Sequence, residues 1–167
     1  DKYVRFLNVQ RKLYELIAKQ FPDICYFEPT NEPDGVSGDF LHREGFIWGK
    51  TKEENASYIY SQDEIVKIVL DLSYFANVGV KKYNAGAKVL FPGFWNTDDA
   101  PMYLTKVFSE LQSGQYPSIC EEKSDKQEDF FEVMNFHPYS LKTGEIDEGW
   151  LQGQKRLYGV MQSFGAG

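Results

Sequence analysis

Ile24-Cys25-Tyr26-Phe27-Glu28-Pro29-Thr30-Asn31-Glu32-Pro33-Asp34 is the stretch on which the reading of this chain turns. Its first residues form a short apolar run, closed by Pro29, that reads as a buried strand. The strand then opens into a polar segment carrying a carboxylic acid, Glu32, between an amide and a proline. Parallel α/β enzymes keep their chemistry at such strand ends. A second run, Phe131-Glu132-Val133-Met134-Asn135-Phe136, ends in the same manner at His137-Pro138-Tyr139. Two strands that both deliver titratable groups at their carboxyl ends imply one functional face.

Working outward from the first strand, Val4, Leu7, Leu13, Leu16 and Ile17 recur at helical spacing, and the pattern predicts a helix over Tyr3 to Lys19. Phe21-Pro22-Asp23 breaks it. Between Asp34 and about Tyr60 no periodicity holds, and Gly35, Gly38, Gly45 and Gly49 punctuate a long loop. A loop of that length inside a domain is functional or disordered. Its aromatics, Phe40, Phe46, Trp48, Tyr58 and Tyr60, favour the functional reading, because disordered segments are poor in them. Ser61-Gln62-Asp63-Glu64 is a capping-box pattern, and Ile65, Ile68, Val69, Leu72 and Phe75 form an apolar stripe behind it. Ala87 to Phe91 reads as a second buried strand before Pro92-Gly93. A further helix starts near Asp98, Asp99 and Pro101, carries Leu104, Val107, Phe108 and Leu111, and stops at Gly114. A last one covers roughly Gly149 to Ser163.

Strands alternating with amphipathic helices imply parallel pairing and right-handed crossovers. A doubly wound sheet and a (β/α)8 TIM barrel both fit. No glycine-rich phosphate loop follows any strand, which weakens the nucleotide-binding version. A complete barrel takes about 250 residues, so 167 residues with three strands correspond to the central portion of one, strands 4–6 with their flanking helices. The expected organisation is one partial catalytic domain over residues 1–167.

With 42% apolar and 26% charged residues the chain reads as soluble and globular. A net charge of −7 and the lack of a basic stripe argue against a nucleic-acid partner. No apolar run approaches the roughly 20 residues of a membrane span, and the amphipathic pattern begins at once, so neither a membrane nor a signal peptide is expected. Cys25 and Cys120 have no metal-ligand spacing, and Cys25 reads as a small buried hydrophobe. With His42 and His137 the only histidines, no metal site and no organic cofactor are expected.

Asn31 and Glu32 suit glycosidic cleavage. Pro33 holds the preceding backbone extended, the carboxyl can protonate a departing oxygen, and the amide can bind a sugar hydroxyl. Asn31-Glu32-Pro33 after an aromatic strand, followed two strands later by His137-Pro138-Tyr139, resembles the retaining clan A glycoside hydrolases. The likeness is nearest to the β-xylosidase and α-L-iduronidase family and the cellulase-like families. The resemblance implies that Glu32 is the general acid/base, that Asn31 contacts the sugar 2-hydroxyl, and that His137 and Tyr139 line the glycone site. It further implies a nucleophilic glutamate at the end of a seventh strand, beyond the C-terminus of this chain.

Trp95 and Trp150 then fall in loops on the expected face and are candidate platforms for a sugar ring, with Trp48 over an adjacent subsite. Glu145, Asp147 and Glu148 read as solvated loop charges, and Glu28 as a structural residue at a strand end. The expected activity is retaining hydrolysis of an oligosaccharide or glycoside. The alternative is a non-catalytic carbohydrate-binding protein or inactive barrel fragment. Open sheet edges recruit other chains, so a companion segment or self-association is expected as well. The substrate class favours a secreted or periplasmic location, although the sequence carries no address.

Overall fold

A computed structural model describes residues 2–30, 61–93, 100–135 and 148–166. Four helices dominate these residues: α1 Lys2–Gln20, α2 Gln62–Lys81, α3 Ala100–Gln112 and α4 Glu148–Ser163. Between them lie β1 Tyr26–Phe27 and β2 Lys88–Val89, and a 3-10 turn at Gln127–Asp129. The two strands pair in parallel, Tyr26 opposite Lys88 and Phe27 opposite Val89. Among the described residues a third segment joins through the one parallel bridge Leu90–Val133.

Helix α2 is the centre of the molecule. Ser61 caps it: its hydroxyl accepts the Glu64 N–H at 3.3 Å, and the Glu64 carboxylate accepts the Ser61 N–H at 2.9 Å. Burial then covers about two thirds of the helix circumference rather than one narrow stripe, with Val66, Leu70, Ala76 and Val80 fully enclosed alongside Ile65, Ile68, Val69, Leu72 and Phe75, and leaves a strip through Lys67, Tyr74, Val78 and Lys81 partly exposed. An apolar face this wide is covered by more than one neighbour. Here α1 and α3 flank it and β2 lies beneath. Helices α1 and α2 come close at Gly79, where an added Cβ would stand 2.5 Å from the Arg11 carbonyl oxygen. Helix α3 buries Tyr103, Leu104, Val107, Phe108 and Leu111, and its chain reverses at Gly114, φ 65°.

The structure overturns the (β/α)8 barrel, and with it the fold implied by the clan A resemblance. Among the described residues the chain is mostly helical, with only two paired strands of two residues each. The reason lies in the residues around each strand. Pro29 and Pro92 follow the paired residues closely and have no N–H to extend a ladder. The segment expected as a strand from Phe131 to Phe136 follows a 3-10 turn, so Phe130 and Phe131 enter the core beside that turn, and among its described residues, 131–135, only Val133 bridges.

Burial alternates across the sheet. Phe27 and Val89 face the helices, while Tyr26, 59% exposed, and Lys88 face away. A barrel would fill that second face with packed side chains. One residue-level expectation fails as well: Cys25 is exposed rather than buried. Leu13 and Leu16 are 46% and 58% exposed on the outer flank of α1.

Candidate functional site at the strand carboxyl ends

Three chain segments reach the same end of the sheet. Leu90 N–H donates to the Phe27 carbonyl and Phe91 N–H to the Val133 carbonyl, at 2.8 and 2.7 Å. Residues 26–30, 88–93 and 131–135 therefore run side by side in one direction. Their last described residues are Thr30, Gly93 and Asn135.

Glu28 ties two of these ends together. Its side chain accepts the Gly93 N–H at 2.8 Å, which satisfies a backbone donor that the short ladder leaves over. The Tyr14 hydroxyl donates to the Glu28 carbonyl oxygen at 3.3 Å, so α1 braces the same strand end. Burial, with the Glu28 charge adding to it, pushes the Tyr14 phenol up to about 12. Phe27 packs edge-on against the Tyr14 ring at 6.2 Å between centroids. Pro29 and Thr30 are buried. Glu28 has the structural role the sequence assigns it.

Of the expected site residues, Asn31, Glu32, Trp95, His137 and Tyr139 lie outside the described residues, as do Trp48, His42, Glu145 and Asp147. Trp150 belongs to the first turn of α4 rather than to a loop, and Glu148 opens that helix as an exposed residue. The described residues hold no group of three or more histidine, cysteine or carboxylate side chains able to bind a metal ion. None of the described helices is long and apolar enough to cross a membrane.

At the other end of the strands sits a clip that sequence reasoning missed. Lys81 Nζ donates to the Ala87 carbonyl at 2.7 Å and to Glu132 at 2.8 Å. The second oxygen of Glu132 accepts the Val89 N–H at 3.1 Å. Two grooves open nearby, of about 460 Å3 and 430 Å3, and both are lined by Glu128 and Glu132. Neither is lined by Thr30, Gly93 or Asn135. The clip has a sequence signal: Glu132 is a charged residue inside an apolar run, which calls for a partner.

No family model, curated protein or solved structure matches the chain. The clan A resemblance is corrected accordingly. It rested on two three-residue motifs and a strand order, and the strand content of the fold does not sustain it.

Proposed function

We propose that the chain takes a neutral saccharide at the carboxyl ends of its parallel segments, and that Glu32 acts there as general acid and base in glycosidic cleavage. The observation in support is the convergence of Thr30, Gly93 and Asn135, braced by the Glu28–Gly93 bond. Asn31-Glu32, Phe94-Trp95 and His137 follow those three residues closely in the chain. Ligands of parallel sheets bind at this end because loops from adjacent strands meet there. In this reading Glu32 protonates the glycosidic oxygen and then activates water, Asn31 holds a sugar hydroxyl, and Trp95 stacks on a ring. Retention of configuration requires a second carboxylate about 5 Å from the first.

A second reading is saccharide binding without cleavage. It is favoured by the engagement of Glu28, the described carboxylate closest in sequence to Glu32, with the Gly93 N–H. A panel of nitrophenyl glycosides assayed beside calorimetric titration with the matching sugars separates the two. Turnover that falls at least a hundredfold in Glu32→Gln, with sugar affinity kept, supports cleavage. Affinity without turnover in the parent protein supports binding alone. Neither signal with any sugar of the panel sinks both.

A further inference from the structure

Helix α1 has a second face that the fold does not use. Val9, Leu13 and Leu16 are 55%, 46% and 58% exposed. Their spacing of four and then three residues makes one apolar row, the seam of a paired helix. The row lies on the flank turned away from α2, since α2 meets α1 at Arg11 and Tyr14. Arg5, Lys12 and Lys19 are exposed and recur every seven residues. Each comes one residue before a seam position of the heptad that Leu13 defines, so the three form a cationic row alongside the apolar one.

Helix α1 carries five cationic side chains and one anionic one, on a chain of net charge −7. That one acid, Glu15, is already held by Lys82 at 2.9 Å and Arg11 at 3.8 Å. Hydrogen bonding to Lys82 lowers its pKa. Every exposed charge on α1 (Lys2, Arg5, Lys12 and Lys19) is positive.

We propose that this face docks an amphipathic helix with an acidic rim, supplied by a partner polypeptide. The apolar row provides the seam, and the flanking cationic row selects the sign of the rim and the register of pairing. Charge complementarity decides the occupant. A second copy of α1 would set like charges against each other in an antiparallel pair, and in a parallel pair would offer the cationic row only the uncharged Gln10 and Ile17.

The test uses the whole chain and two labelled helical peptides with the same leucine seam, one flanked by glutamate and one by lysine, read by fluorescence anisotropy. Binding of the glutamate peptide, weakened by salt and lost in Leu13→Ser/Leu16→Ser with the circular dichroism unchanged, supports the proposal. Arg5→Glu/Lys12→Glu/Lys19→Glu should weaken the glutamate peptide about tenfold, as three rim pairs of a few tenths of a kcal/mol each would give, and should let the lysine peptide bind. No binding of the glutamate peptide, or equal binding of both peptides, overturns it. So does self-association of the chain that Leu13→Ser/Leu16→Ser abolishes, or binding through this face to phosphatidylserine vesicles in place of the peptide.

Discussion

Asp71 is fully buried, and its two oxygens receive four donors. The Tyr3 hydroxyl stands at 2.7 Å, the Ser118 N–H and hydroxyl both at 2.5 Å, and Lys67 Nζ at 3.2 Å. One carboxylate thus joins α1, α2 and the turn after α3. Asp71→Asn keeps the shape but turns an N–H2 toward donors, so it should cost about 2–4 kcal/mol, the penalty of unsatisfied buried groups. Urea unfolding checks this, and a loss within about 0.5 kcal/mol of zero, the range of surface changes, would refute the anchor. The buried phenols give a pH dependence. Burial pushes Tyr3 up, and Tyr14 and Tyr116 are each raised to about 12. Unfolded tyrosine titrates near 10. The contribution of these groups is therefore complete below about pH 10 and is lost as pH rises through about 12. Urea midpoints across that window should fall, and fall less steeply in Tyr14→Phe; a flat profile would contradict the assignment. Asp71 was open to sequence reasoning as a charge one residue before Leu72 in an apolar stripe, but Ser118 was not, because 47 residues separate the partners.

At the scale of elements, glycines on two helices have opposite meanings. Gly79 sits where α2 crosses α1, and a Cβ there would meet backbone at 2.5 Å, which no rotamer change relieves. Gly159 of α4 has nothing within 4 Å of the same position. Gly79→Ala should destabilise by about 1–3 kcal/mol through overpacking, and Gly159→Ala should stabilise by about 0.5–1 kcal/mol through helix propensity. Thermal melts of both variants test the pair, and equal shifts would mean that the crossing is looser than described. Helices were the legible part of this chain. The Ser61–Glu64 box, the α3 stripe and the Gly114 stop each depend on residues within one turn of each other, and each is found as read. Strands were legible in place but not in length. Their extent depends on which distant segment pairs with them and on prolines that end the ladder, and three short apolar runs do not reveal that a barrel fails to form. The α1 stripe has a related limit: helical spacing identifies a helix but not which of its rows the neighbours cover, and Leu13 and Leu16 lie on the uncovered one.

For the molecule as a whole, the sequence points to candidate chemistry but not to the geometry of the strand ends. Asn31-Glu32 and His137-Tyr139 were singled out because of their residue types beside apolar runs, whereas the bonds that bring the strand ends together, Glu28 to Gly93 and Phe91 to Val133, span 65 and 42 residues. So short a sheet cannot rely on its ladder alone, and side chains pin it at both ends. Glu28 holds the carboxyl end and the Lys81–Glu132 clip the other. Lys81 comes from the last turn of α2 and Glu132 from the third segment, and between them they bind the Ala87 carbonyl and the Val89 N–H of the middle one. Their side chains are 30% and 22% exposed, so the pair is partly screened and its Coulomb energy is modest. Removing one partner is the larger effect. Glu132→Ala frees both a lysine and a backbone donor and should cost about 2 kcal/mol. In a cycle of Lys81→Met, Glu132→Gln and the double variant, a coupling of about 1 kcal/mol is expected, within the range for residues in contact. A coupling near zero would mean that the helices alone hold the third segment in place. The strand ends would then be positioned by packing of Phe91 on Phe131, whose centroids are 4.9 Å apart, with no help from the ion pair.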